Sequence, residues 1–330
     1  MALTLSEIQS LTDDVWMPGA SNNWVMGNIM MFKLLAKATP APSGEYIRQV
    51  LEYSRSRGGA MGPTTIFETA KKIIFNAARF PWAYFWSGCT YDIEDEVKVS
   101  GGESGVDLIM GKLDNAQRSI KDYMGDSIWS TYATGVTAYG AETIPFYGIG
   151  DLMNVASDTT PAFGNINRAD LGTFSRLGSA VSIWQAYKET GARTMNFSTL
   201  QELARSTRVG SDNSKEVIDL IVTTSTLKDV FENSLQSQQR FQDSSLAKAG
   251  FDTVNFRSNV PVVVDDKVAA SQVYGFNTNK LHLRPHQDFN FTPPKWKEPT
   301  NQYVKTTQII WTGAFTTGER RAHGQMTVVS

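Results

Sequence analysis

A single cysteine, Cys89, is the scarcest feature of this 330-residue chain. It excludes an intrachain disulfide framework and any Cys-x-x-Cys metal or redox site. A buried small hydrophobe in a reducing environment is the expected role. Only three histidines are present, which caps acid–base and metal chemistry. Charge is also sparse, at 19% of residues, and 33 Asp and Glu face 31 Lys and Arg. A protein built to grip nucleic acid shows a basic balance or stripe. Here only Arg55-Ser-Arg57 and Arg320-Arg321 stand out. No apolar run is long enough to span a bilayer. The nearest, Trp24–Leu35, is short and interrupted by Asn28 and Lys33. Met1-Ala-Leu-Thr-Leu carries neither a basic nor a long apolar stretch, so no signal peptide is expected. No fixed-period repeat is visible.

The sites that chemistry would need are incomplete. His282 and His286 are four apart, the spacing of zinc ligands on a helix, but Pro285 lies between them and Leu281–Arg284 reads as extended. In a strand such residues stand ~13 Å apart and cannot share a metal. His323 has no serine or cysteine in a nucleophile-elbow context. Gly148-Ile-Gly150 is half of a dinucleotide fingerprint, with Met153 in place of the third glycine; it reads as a turn. Asp265-Asp266 follows a valine strand without a third acidic partner and reads as the start of a turn. No catalytic, cofactor-binding or metal residue is therefore assigned, and no cofactor is expected.

Aromatic residues are plentiful, at 11% with eight Trp. Such residues fill cores and interfaces alike. Residues 1–38 read as an apolar arm. Ser6–Asp13 is a short helix broken by Trp16-Met-Pro-Gly19. Ser21 or Asn22 then caps a helix over Asn23–Ala36, with Val25, Ile29, Phe32 and Leu35 or Ala36 on one face. Glu45–Tyr53 reads as a strand, Arg55–Pro63 as a Gly/Arg/Ser-rich tip, Ile66–Arg79 as ambiguous, and Phe80–Trp86 as a second strand. An isolated two-stranded hairpin is marginal in water. The segment is either a projecting hairpin that contacts another molecule or an ordinary layer of its own domain. It is basic at Arg48, Arg55, Arg57, Lys71, Lys72 and Arg79. The acidic run Asp92, Glu94, Asp95 and Glu96 follows it, as a solvated face or as a dock for a neighbour's basic tip.

Residues 104–130 give the clearest helix. Ser104 and Asp107 form a capping box, and Val106, Ile109, Leu113, Ala116, Ile120, Tyr123 or Met124, and Ile128 keep a 3.6-residue period. Residues 131–196 are weakly periodic, with a helix expected over Phe174–Tyr187. Residues 197–265 read as α/β. Ser198 with Gln201 and Thr226 with Asp229 cap two helices, and Ile218–Thr223 is a buried strand. The remainder reads as short strands bounded by turn residues: Gly250–Phe256, Val260–Asp265, Val273–Asn277 and Gln308–Gly313, before Arg320-Arg321-Ala-His323-Gly324.

In this order, Ile218–Thr224, Gln238-Gln-Arg-Phe241, Ala249-Gly-Phe251, Pro261–Asp265, Val273-Tyr-Gly-Phe-Asn277 and the closing Trp311 and His323 runs resemble tailed-bacteriophage major capsid proteins, whose fold is shared with encapsulins. Asn165-Ile-Asn-Arg168 resembles a short motif of that family. The resemblance covers nearly the whole chain. It implies an α+β fold: an N-terminal arm (1–38), an extended β-hairpin loop over a neighbouring subunit (39–90), a peripheral domain with a long spine helix (91–135), an α/β axial domain (136–270) and returning peripheral strands (271–330). It further implies a non-enzymatic shell protein forming the pentamers and hexamers of an icosahedral capsid around double-stranded DNA, assembled in a host cytoplasm. The partners are then other copies of itself, DNA held by weak non-specific contact, and no membrane. Any scaffolding, decoration or portal protein would be a separate chain. Some relatives cross-link a Lys to an Asn. Lys71 and Lys72 lie in the loop, but no partner Asn or catalytic Glu is identifiable. An encapsulin-like compartment, an α/β enzyme and a tail or connector component are the alternatives.

Overall fold

Helix α1 (Ile29–Ala36) opens at Asn28, whose Oδ1 accepts from Met31 N at 2.9 Å. A cap of this kind contributes ~1 kcal/mol. The residue that interrupts the apolar run thus starts the helix. Met30, Met31 and Leu34 face the core, and Phe32, expected there, is 73% exposed. The cause lies 235 residues away. Met30 N donates to Asp265 Oδ2, and Gly27 N to Asp266 Oδ2, each at 3.0 Å. Those anchors set the rotation of α1 and turn the Met30–Met31 side inward. The computed structural model describes residues 27–67, 69–92, 103–154, 163–166, 171, 173–176, 179–208, 217–236, 254–257, 260–292, 295–300 and 302–329. At 103–109, 174, 175, 179, 236 and 254 only the backbone is described. The expected helix at Ser6–Asp13, its break at Trp16–Gly19, the caps Ser21 and Asn22, and the motif at Gln238–Phe241 lie outside these residues.

Strands β1 (Ile47–Glu52) and β2 (Phe75–Phe80) form an antiparallel hairpin with Ile47 opposite Phe80 and Glu52 opposite Phe75. The strand expected over Phe80–Trp86 divides in two, because β3 (Ala83–Asp92) begins only after Pro81-Trp82. Proline lacks the N–H a ladder needs. The root of the hairpin belongs to the main core: Leu51, Ala78 and Phe80 are buried. The Phe80 ring meets Phe163 edge-on at 5.3 Å. Gly164 (φ +73°) lies against this root, where an added Cβ would come within 3.1 Å of Ala78 Cβ. Both the backbone angle and the space call for glycine there.

The spine helix α2 (Glu103–Trp129) has 27 residues, ~40 Å. It starts one residue before Ser104, which therefore lies in the first turn and not at the cap. Ala116, Ile120, Met124 and Ile128 form its buried stripe, while Tyr123 is exposed and Leu113 only partly buried. Helices α3 (Tyr132–Tyr139) and α4 (Ile149–Leu152) follow. The Gly148–Gly150 segment is thus a helix start, not a bare turn. A Cβ on Gly148 would collide with the carbonyl oxygens of Ser127, Ile128 and Ser130 at the end of α2. The helix expected over Phe174–Tyr187 is instead a hairpin, β4 (Thr173–Arg176) with β5 (Ser179–Ser182). Two residues separate the strands, one of them Gly178, and a two-residue connection suits a hairpin and breaks a helix.

After β6 (Tyr187–Thr194), helix α5 (Phe197–Ser206) is capped by Asn196, whose Oδ1 accepts from Thr199 N at 2.9 Å; Ser198 already lies inside it. Strand β7 (Leu220–Thr223) precedes α6 (Ser225–Gln236), which begins one residue before Thr226. Strands β8 (Val254–Arg257), β9 (Val260–Val264), β10 (Gln272–Phe276), β11 (Leu281–Pro285), β12 (Val304–Thr317) and β13 (Gly324–Val329) complete the chain.

Two sheets organise these strands. An antiparallel sheet of order β11-β12-β3 carries α2. A mixed sheet has the order β6-β13-β10-β7-β9-β8. Its central β7 is buried on both faces. Leu220 and Val222 join the main core with α1 and α2, and Ile221 joins a second core with Leu200, Leu203 and Phe231. Strands β10 and β13, placed by the sequence among the returning peripheral strands, are built into this sheet beside β7 and β6. The expected boundary at 270/271 therefore does not separate two sheets. Pairings between segments so distant in the chain leave no local trace in composition.

Candidate assembly surface

The hairpin leaves the core at its root and stays outside it. Every described residue from Arg55 to Ile73 is exposed. Among them Ile66 is 94% exposed, and Met61, Phe67 and Ile73 are comparably open; Val50 and Phe75 on the strands are exposed as well. Fully burying one such side chain is worth ~1.5–3 kcal/mol. Monomeric proteins seldom leave so much apolar surface in one place. The sequence reading missed these residues as contacts. Their signal was an apolar run, Ile66-Phe67 and later Ile73–Phe75, with neither helical nor strand periodicity on which to bury itself.

The basic residues expected at contacts all fall on this hairpin or its tip. Arg48 on β1 and Arg79 on β2 sit directly opposite each other, both exposed. Like charges in that position are unfavourable within the chain. Arg55, Lys71 and Lys72 project from the tip, as does Arg57. Among the described residues no carboxylate pairs with Arg48, Arg55, Lys71, Lys72 or Arg79. Asp92 ends β3, nine residues and ~30 Å along the strand from its start near the hairpin root. Glu94, Asp95 and Glu96 lie outside the described residues. The structure thus gathers the cations on one projection, and Asp92 lies at the end of β3 away from the hairpin root.

A second apolar area lies on the outward face of the three-stranded sheet. Tyr84 and Trp86 point out from β3, and Ile310 stands opposite Trp86 on β12. Strand alternation places them there: Ala83, Phe85 and Cys89 take the inward positions.

The carboxylates, histidines and paired arginines that chemistry would need have structural work. Asp265 and Asp266 start a turn, as expected, and also hold the arm. Lys267 N donates to Asp265 Oδ1 at 3.0 Å, and Lys267 Nζ bridges Asp122 and Asp126 of α2 at 2.6 and 2.7 Å. Burial pushes the Asp265 carboxyl up from its ordinary value. Arg320 is fully buried, so Arg320-Arg321 is not a surface stripe for nucleic acid. Its guanidinium donates to the carbonyls of Asp151 (2.9 Å), Leu152 (2.8 Å), Asn154 (2.6 Å) and Trp184 (3.3 Å) and stacks over Phe163. Those bonds join α4 to the turn before β13. His323 is buried; its Nδ1 accepts from Asn277 N and its Nε2 meets Thr317 Oγ1, each at 3.3 Å. Burial holds its pKa down to about 3, so it is neutral. His282 and His286 are on extended backbone, as expected. Among the described residues, no group of three or more His, Cys, Asp or Glu could hold a metal ion. Cys89 is a free, buried thiol whose pKa burial raises.

No family sequence model matches the chain, and no curated protein matches it. Solved structures do. The capsid of cyanophage A-1(L) aligns with a TM-score of 0.67 at 12% identity, over 98% of this chain and 99% of that one. The SrpI encapsulin of Synechococcus elongatus PCC 7942 aligns at 0.62 and 8% identity, over 99% and 96%. The capsid of a native GTA particle aligns at 0.60 and 8%, over 97% and 96%. The arm, projecting hairpin, spine helix and two sheets together therefore have the fold of phage major capsid proteins. An encapsulin shares that fold, and the likeness runs essentially end to end in both directions.

Proposed function

We propose that the chain is a major capsid protein that self-assembles into the pentamers and hexamers of an icosahedral shell enclosing double-stranded DNA. The observation that carries this reading is the hairpin. A segment rooted in the core exposes Val50, Met61, Ile66, Phe67, Ile73 and Phe75, a surface that needs another chain to cover it. The end-to-end likeness to capsid subunits supports the same reading. On it, residues 39–90 reach over a neighbour. Arg48, Arg55, Arg57, Lys71, Lys72 and Arg79 of one copy and Asp92, Glu94, Asp95 and Glu96 of another come to lie at contacts. The spine helix and three-stranded sheet form the peripheral region, and the mixed sheet with α5 and α6 the axial one. The role is structural, not enzymatic. Assembly takes place in the host cytoplasm. Near-neutral charge suits a wall that contains DNA without gripping it. No described helix is long and apolar enough to cross a membrane.

Negative-stain microscopy of the purified protein tests the reading. Closed shells with five- and six-fold capsomers are expected, and open tubes or permanent monomers would overturn it. A compartment shell is the second reading, favoured by the encapsulin alignment. Nuclease-protected DNA inside particles supports a capsid, and a stoichiometric cargo protein supports the compartment.

A further inference from the structure

Beside the hairpin root, β1, the start of β11 and the turn after β12 enclose a half-open cavity of about 560 Å³. Lys280, Arg284 and Arg321 line it, with His282, against the carboxylates Glu52 and Glu319. Glu319 is committed: Lys280 Nζ lies 2.7 Å from its Oε2 and Arg321 donates to its Oε1 at 3.2 Å. Arg284 is different. Its Nε donates to Thr316 Oγ1 at 3.3 Å, and among the described residues no carboxylate pairs with it. His282 reports the resulting field. Burial first, then the charges of Arg284, Lys37 and Lys280, hold its pKa below the ordinary value. A guanidinium with free terminal nitrogens in a partly dry recess is suited to a carboxylate or phosphate.

We infer that this cavity receives carboxylates of a second copy of the chain, those of the run Asp92–Glu96. The inference rests on the shell reading and deepens it by naming a receptor for the acidic run. Four of those five residues are acidic, the densest negative run in the sequence. The run cannot reach its own cavity. Asp92 pairs with Val304, the first residue of β12, and the cavity wall includes Gly318, just past its last. Fourteen residues of strand separate the two ends by ~45 Å, and the chain from Asp92 to Glu96 extends at most ~14 Å. The acidic run therefore departs from one end of β12, and the cavity lies at the other. Copies that meet head to tail bring the two together, and a heterologous contact of this kind closes into a ring when its rotation closes. Nucleic acid is the poorer occupant, because Glu52 and Glu319 in the same wall repel a chain of phosphates.

A charge-swap cycle followed by light scattering tests this. Arg284→Glu alone, and Asp95→Lys with Glu96→Lys, should each raise the critical concentration for particles about tenfold. The combined variant should return to within about threefold of wild type. Equal thermal unfolding of the unassembled subunits controls for folding. If Arg284→Glu does not fold, Arg284→Gln replaces it, and inorganic phosphate at matched ionic strength should then inhibit wild-type assembly more than chloride does. Additive losses with no rescue would overturn the inference while leaving the shell reading intact. So would loss of duplex oligonucleotide binding without any change in assembly. If wild-type protein forms no particles at all, the shell reading itself fails.

Discussion

The spine helix and the hairpin tip make opposite use of the same residue types. In α2, Ile120, Met124 and Ile128 are wholly buried, one turn apart, against the three-stranded sheet. In the tip, Ile66 is almost wholly open and Phe67 largely so. Both segments are elongated and both carry apolar side chains. What differs is periodicity. The helix repeats its apolar residues every three or four positions and so presents one face to one partner. The tip has no such repeat, and its backbone between β1 and β2 has no layer of its own chain to lie on. Apolar surface organised by period serves the subunit's own core; apolar surface without period is left for a neighbour.

Perturbing the two regions should therefore separate folding from assembly. Ile120→Asp buries an unpaired charge beneath the spine helix and should cost ~4 kcal/mol or more, leaving no soluble folded subunit. Leu113, only partly buried, should tolerate the same change better. Soluble, assembling Ile120→Asp protein would remove the spine from the core. Arg320→Met strips donors from four carbonyls and should cost ~3–5 kcal/mol by chemical denaturation. An unchanged midpoint would show that water replaces the guanidinium. In the tip, Ile66→Ser with Phe67→Ser should leave subunit stability within ~0.5 kcal/mol, because both residues are exposed. The same pair should raise the critical concentration for particles at least tenfold. A fall in stability with unchanged assembly would reverse the comparison.

Acid tests the buried side more gently. His323 is neutral when folded, with its pKa held down to about 3 from 6.5, while the unfolded chain protonates it as pH drops. Its contribution is complete above pH 6.5 and is lost toward pH 3, by up to ~1.4 kcal/mol per unit. Asp151, pushed up to about 6 by burial, acts with the opposite sign between 3.8 and 6. It does so with or without the histidine, so the difference between the stability slopes of wild type and His323→Gln isolates the imidazole. Identical slopes would show that His323 is protonated or exposed. The smallest effect is expected at Asp265. Asp265→Asn loses one acceptor but removes a buried charge, so the urea midpoint should shift by less than ~1 kcal/mol. Asp265→Ala, which frees Met30 N and Lys267 N, should cost ~1–3 kcal/mol. Equal losses for Asn and Ala would mean that the charge itself holds the arm.

Legibility in the sequence followed the range of the interactions. The spine helix, the strand at Leu220–Thr223 and the valine strand before Asp265 were readable, because periodicity and burial are written in neighbouring residues. The hairpin was readable only as a choice between a projection and a layer. Its second strand was misplaced because Phe80–Trp86 looks continuous until Pro81 is given its missing N–H. The face of α1 was misjudged because Asp265 and Asp266 orient it from the other end of the chain. The exposed apolar tip residues could be listed as apolar from the sequence, but not as outward.

By itself, the sequence determined the class of the elements, the absence of a disulfide framework, and an ordered set of motifs that points to one fold. These follow from short-range chemistry: helical period, turn residues, β-branched runs and a cysteine count. The tertiary structure alone decided that β10 and β13 enter the mixed sheet, that Arg320 is a buried clamp and not a surface cation, and that Arg284 lines a cavity beside the hairpin root. Each of these depends on which distant segments pair, and pairing is settled by the closing of whole layers, where many weak contacts are satisfied together.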